Sequence, residues 1–274
     1  MKAKIFVCSN SAIDYINHSE NIKSIPTIIK FSADEEYNDF IDISQAQFYN
    51  RLKITKEKHV TVDYQKYNVI NEYLMEALND GYTEFLFLIP SKSFSNLAIP
   101  LSIIKNENTN LAITLYETNT ISYPLAYMAL EADRLLNEEN ENMDFTLEKL
   151  DLIKRNHHIF FFNPAADETK KNFQNKYKSG TAYSLENGII TKLEKNSSAT
   201  SFDEIIKLMK EETADCDVVL FICYNDKTSK YVSIFGEYIQ EYIKENKKVK
   251  LSPLAPGVGV LVGYDVIRIG YIIK

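Results

Sequence analysis

Pro90-Ser91-Lys92-Ser93-Phe94-Ser95-Asn96 sets three hydroxyls at alternate positions, directly after the continuous apolar run at 84–89. A run of that length suits a buried strand of a parallel sheet, and a helical stretch containing Pro100 follows the loop. The segment therefore reads as a strand-to-helix turn. Ligands of open α/β sheets bind outside the carboxyl ends of the strands, where such turns lie. A helix start there presents free N–H groups and a field that favours an anion. With the hydroxyls of Ser91, Ser93 and Ser95, the fitting chemistry is the holding of a carboxylate or phosphate without a formal positive charge. The plainer account is that one serine caps the helix, and spacing alone leaves both open.

Signals for covalent or metal chemistry are missing. There is no GxxxxGK[ST] phosphate loop, no GxSxG elbow, no HExxH and no CxxC pair. The histidines are His18, His59, His157 and His158, and none has metal-ligand spacing. His59 is one candidate base for a serine, with nothing in the sequence to place it there. His157 and His158, adjacent at a strand start, point to opposite faces. The expectation is a chain with no metal, no cofactor and no catalytic activity of its own. The carboxylates of 34–42 match no cation-binding loop and read as a solvated linker. The glycine-rich stretch 254–263 lacks GxGxxG and reads as a tight strand entry.

The elements that must position these groups follow from periodicity. Strands are expected at 3–8, 24–31, 84–89 and 111–116. Asp42-Ile43-Ser44 opens a helix through Leu52, with Ser44 as its cap. Ile70, Tyr73, Leu74 and Leu78 give a helix that Gly81 ends. A helix over 120–137 turns Leu125, Met128, Ala129, Ala132 and Leu135 inward. Asn137 through Asn142 reads as a solvated acidic loop, and a helix at 145–156 as a join between domains. In the second half, strands at 158–163, 217–223 and 268–273 accompany a hairpin, 181–185 with 189–194, turning at Glu186-Asn187-Gly188. Residues 228–244 are amphipathic, with Val232, Phe235, Tyr238 and Ile239 on one face. Alternating strands and helices imply a mainly parallel sheet first, and a mixed sheet second.

Length and composition set outer bounds. The 274 residues suffice for one large domain or two modest ones. A formal net charge of −7 argues against a nucleic-acid partner. Arg51, Arg134, Arg155 and Arg268 are the only arginines, so guanidinium forks for anions are few. Cys8, Cys216 and Cys223 form no disulfide framework, and a reducing, cytoplasmic setting is expected. No apolar stretch nears the roughly 20 residues that insert into a bilayer.

Taken together, several segments resemble the DegV family of bacterial fatty-acid-binding proteins. The first strand and Cys8-Ser9-Asn10-Ser11 are similar to its V-T-D-S-T opening, with Ser9 in place of the Asp. Ile25-Pro26, Tyr37-Asn38-Asp39, Asp42-Ile43-Ser44 and Phe48-Tyr49 resemble its P-L, Y-x-D, D-I-s and F-Y elements. Thr61 stands at the Thr of T-S-Q-P, followed by Val62-Asp63-Tyr64. Ser91 through Leu97 sits at S-S-x-L-S-G-T, which puts Ser95 at the central serine and Asn96 at the glycine. Glu117-Thr118 and Ser122 follow D-S … S loosely. Two elements depart. Lys178-Ser179-Gly180 stands without the arginine of G-G-R-I, and Leu261-Val262-Gly263-Tyr264-Asp265 without the histidine of H-x-G-P-G.

The resemblance implies an N-terminal three-layer α/β domain with a mainly parallel sheet, 1–156, and a C-terminal α/β domain with a mixed sheet, 157–274. It implies a long-chain fatty acid in a tunnel at their junction and a separate fatty-acid kinase as partner. Thr61 and Ser95 become the carboxylate ligands, with Ser93, Asn96 and Ser9 as further contacts. The alternative is a diverged member that takes another small ligand or acts as a regulatory protein-binding module.

Overall fold

The computed structural model describes residues 2–55, 59–163, 181–193, 201–225, 228–229, 232–233, 235–236 and 248–274. The chain divides into two compact units, Met1–Arg155 with Ala255–Leu261, and Asn156–Leu254 with Val262–Lys274.

The first unit is built on a four-stranded parallel sheet. Its strands are β1 (Ala3–Cys8), β2 (Ile22–Ile25), β6 (Glu84–Ile89) and β7 (Ala112–Glu117), in the order β2-β1-β6-β7. β1 and β6 occupy the middle because their side chains are apolar on both faces. Phe6 stacks on Phe87 across them, ring centroids 4.4 Å apart. Beside this sheet stands an antiparallel one, β3 (Ile28–Ser32) between β4 (Glu35–Asn38) and β5 (Thr61–Asp63). The strand expected over 24–31 is thus two strands in two sheets. The break falls at Pro26-Thr27, where proline lacks the N–H that a continuing ladder requires.

The helices mostly follow their local signals. Ser44 and Gln47 form a reciprocal capping box ahead of α1 (Gln45–Thr55): Gln47 N–H donates to Ser44 Oγ, and Ser44 N–H to Gln47 Oε1. In α2 (Tyr67–Asn79), Ile70 and Leu74 are buried, but Ala77 takes the inner place expected for Leu78, which is exposed. α3 (Ala98–Glu107) follows the serine loop. α4 (Tyr123–Asp133) packs on β1, β2 and β6 and continues as a π-helical turn, Arg134–Glu138; all five expected inner residues are buried. α5 (Met143–Arg155) closes the run.

The second unit holds a six-stranded mixed sheet: β8 (His157–Asn163), β9 (Thr181–Glu186), β10 (Ile189–Lys192), β11 (Val218–Tyr224), β12 (Lys248–Pro253) and β13 (Ile267–Ile273). The order is β10-β9-β8-β13-β11-β12, with β11–β12 parallel and the other pairs antiparallel. Asn187 (φ +48°) and Gly188 (φ +82°) turn the β9–β10 hairpin in the left-handed region. α6 (Ser201–Glu212) covers β8 and β9, burying Ile205 and Met209 with Phe160, Phe162, Leu220 and Ile269. Phe235 joins this core with Val232 packed against it, while Tyr238, Ile239 and Lys178-Ser179-Gly180 lie outside the described residues. The glycine-rich stretch is a short helix, α7 (Pro256–Val262), not a strand entry. Its residues through Leu261 belong to the first unit.

Candidate functional site

Three turns leave the carboxyl ends of β1, β6 and β7, and backbone bonds tie them together. Ser9–Ser11 is a 3-10 turn, with Ser11 Oγ donating to the Cys8 carbonyl at 2.8 Å. Ser91 N–H donates to Thr120 O at 3.1 Å, and Ser122 N–H to Asn10 O at 3.0 Å. Thr118 donates twice to Ile89 O, from N–H and from Oγ1, each at 2.9 Å. The start of the serine loop is thereby held by the turn after β7, and that turn is held in its place by Asn10.

Two polar knots meet where these turns converge. In the first, Ser9 Oγ donates to Asp39 Oδ2 at 3.0 Å and accepts from Thr27 N–H at 2.9 Å. Thr27 Oγ1 donates to the same Asp39 oxygen at 3.3 Å, and the Gly257 N–H of α7 also serves this carboxylate. Ser9, Thr27 and Asp39 are all buried. Burial pushes the Asp39 carboxyl up to about 7, and the nearby Asp14 charge adds to the rise, against the pull of the Ser9, Thr27 and Gly257 bonds. In the second knot, Asn10 Nδ2 donates to the Tyr64 hydroxyl at 2.7 Å, and that hydroxyl donates to the Phe94 carbonyl of the serine loop. The Ser95 hydroxyl lies beside the same phenol oxygen and accepts from Leu97 N–H at 3.1 Å. Burial drives the Tyr64 phenol far above its usual range, so it stays neutral.

The helix α7 seals the knots by close approach. A Cβ on Gly257 would stand 2.2 Å from Asn10 Oδ1 and 2.9 Å from Thr27 Oγ1; one on Gly259 would stand 2.4 Å from the Tyr49 hydroxyl. Only glycine permits this packing.

Of the residues singled out from sequence, Ser9 lies inside the first knot, and Ser95, half-buried, touches the second. Ser93 and Asn96 are exposed on the same loop. Thr61 is exposed on β5, paired with Lys30 of β3. The acidic segment divides: Asp34, Glu36 and Asp42 are exposed as a solvated stretch requires, but Asp39 is 1% exposed. Periodicity does not reveal it, although Tyr37-Asn38-Asp39 stands out by its resemblance to a Y-x-D element. Tyr64 and Thr27 carried no sequence signal, because their roles arise only from contacts with Asn10 and Ser9. Lys92 is drawn off to Glu117 by an ion pair of 2.9 Å.

The knots are therefore built of hydroxyl, amide and phenol groups around one buried carboxyl. Their protons are directed at Asp39, the Tyr64 oxygen and the Phe94 carbonyl. Among the described residues, no cluster of three or more His, Cys, Asp or Glu is placed to hold a metal ion. No helix among them is long and apolar enough to cross a membrane.

The family model described as "Uncharacterised protein, DegV family" matches residues 2–171. A DegV domain-containing protein of Clostridium acetobutylicum is 24% identical over 234 residues, 85% of this chain and 80% of that protein. A crystal structure of a DegV family protein from Streptococcus agalactiae, described as fatty acid binding, superposes with a TM-score of 0.81 at 16% identity, covering 100% of this chain and 99% of that one. DegV of Bacillus subtilis, described as a fatty acid binding protein, superposes with a TM-score of 0.80 at 16% identity over 100% of both chains.

Proposed function

The chain belongs to the DegV family, and on that premise we propose that it binds a long-chain fatty acid, with the hydroxyls at the strand ends holding the carboxylate. The observation that carries the reading is the half-buried Ser95 hydroxyl on a loop at the carboxyl end of a parallel strand, a loop steadied by the bonds of Tyr64 to Phe94 O and of Leu97 N–H to Ser95. Charge-assisted hydrogen bonds from such donors are the strong kind. Each tail methylene removed from water adds roughly 0.8 kcal/mol, so the tail supplies affinity and the head group orientation. The fatty-acid binding described for proteins of the same fold supports the reading. Ser95 is the leading ligand, and Ser93, Asn96, Ser9 and Thr61 are the further contacts assigned to the head group.

A finer step is presentation of the bound acid to a separate fatty-acid kinase, which the family resemblance supports. A second reading, a different small ligand, is favoured by Leu261, which puts an apolar side chain where the family motif has histidine.

Native mass spectrometry of the purified protein tests the first reading. The expected result is a co-purified long-chain acid, or stoichiometric uptake of added oleate or palmitate. Neither retention nor uptake overturns it. A kinase of this class, added with ATP, should phosphorylate the bound acid only when this protein is present; equal turnover without it removes the presentation step.

A further inference from the structure

Tyr64 lies outside the hydroxyl positions that the family motifs mark, yet it ties three segments together. Its phenol oxygen has one proton and two acceptor sites. The proton goes to the Phe94 carbonyl, and one acceptor site takes the Asn10 amide at 2.7 Å. The Ser95 hydroxyl, one residue beyond Phe94, lies near the same phenol oxygen. Ser95 in turn accepts from Leu97 N–H, so its own proton is the movable one in the knot. With an anionic oxygen nearby, a rotation about the Ser95 Cβ–Oγ bond delivers it to the ligand and leaves the loop in place.

We propose that Tyr64 is a positioning residue, holding Ser95 and the Phe94 carbonyl in register with Asn10 so that the loop distinguishes a carboxylate from a neutral head group. The inference rests on the fatty-acid reading above. It assigns head-group selectivity to a phenol that touches the Ser95 side chain. Removing that oxygen strands two groups at once, the Asn10 amide and the Phe94 carbonyl. Buried groups left so are costly, and the loop shifts to satisfy them.

The test compares palmitate with hexadecanol, which share a tail and differ at the head, on wild type, Tyr64→Phe and Ser95→Ala. The expected result is that Tyr64→Phe lowers palmitate affinity about ten-fold more than it lowers hexadecanol affinity. A merely structural role would weaken both lipids together. An unchanged preference in Tyr64→Phe, beside a lost one in Ser95→Ala, overturns the assignment and leaves the head-group reading standing. Failure of wild type to bind either lipid overturns the fatty-acid reading and this inference with it. If Tyr64→Phe does not fold, Asn10→Ala removes the donor into the phenol and should lower the preference in the same direction; an unchanged preference there also overturns it.

Discussion

The polar cluster at the strand ends of the first unit is closed off from solvent, whereas the His158 cluster of the second reaches it through two partly exposed glutamates. At the strand ends of the first unit, Ser9, Thr27 and Asp39 are nearly inaccessible and the one carboxyl is pushed up to about 7. On the sheet of the second, His158 stacks on Phe160 at 4.0 Å, with Nδ1 3.1 Å from Glu212 Oε2 and Nε2 3.8 Å from Glu186 Oε1. Tyr271 donates to the same Glu212 oxygen at 2.5 Å. Glu186 and Glu212 remain partly exposed. Burial with neutral donors creates selectivity at a cost in stability, because each member must stay satisfied. Contacts to carboxylates that stay partly hydrated cost little and contribute little. The two regions should therefore respond very differently to substitution.

The largest contrast is expected from Asp39. Its folded-state pKa lies above the unfolded value, so the folded chain holds this proton more tightly. Its contribution is full below about pH 4 and is lost as pH rises through about 7. Asp39→Asn should remove that loss, gaining on the order of 4 kcal/mol relative to wild type between pH 4 and pH 8. Urea titrations at both pH values measure this, and parallel curves for the two proteins would show Asp39 to be uninvolved. Next in size, Gly257→Ala forces a methyl against Asn10 and Thr27 and should destabilise by about 2 kcal/mol. An unaltered denaturation midpoint would mean that α7 yields freely.

In the second unit, Tyr271→Phe removes one hydrogen bond to Glu212 and should lower stability by about 1 kcal/mol. A loss matching that of Gly257→Ala would erase the distinction between the regions. Smallest of all, Thr61→Ala acts on an exposed edge-strand side chain and should stay within about 0.5 kcal/mol of wild type in thermal melts.

Much of the frame was legible because local chemistry and burial agree. β1 and β6 are apolar on both faces, Asn187-Gly188 turns its hairpin, and Ser44 with Gln47 caps α1. Elements that depend on distant partners were not. β5 and β12 are short or flanked by lysine and pair through contacts that no local pattern encodes. The stretch 254–263 reads as a strand entry because two glycines weaken any helical signal, yet they are the condition for α7 to reach Asn10, Thr27 and Tyr49. The candidate site divides likewise. Ser95 stands out in a hydroxyl-rich loop after a buried strand. Asp39 hides in an acidic segment, and only Ser9, Thr27 and Gly257, from three other places in the chain, make it a buried group.

The central claim is that the serine-loop hydroxyls hold an acyl carboxylate. Carbon-13 NMR of carboxyl-labelled palmitate added to the protein tests it most directly. The account predicts one slowly exchanging bound carboxyl resonance that moves or broadens in Ser95→Ala while tail resonances persist. A bound resonance indifferent to Ser95, or none beyond free palmitate, would contradict it.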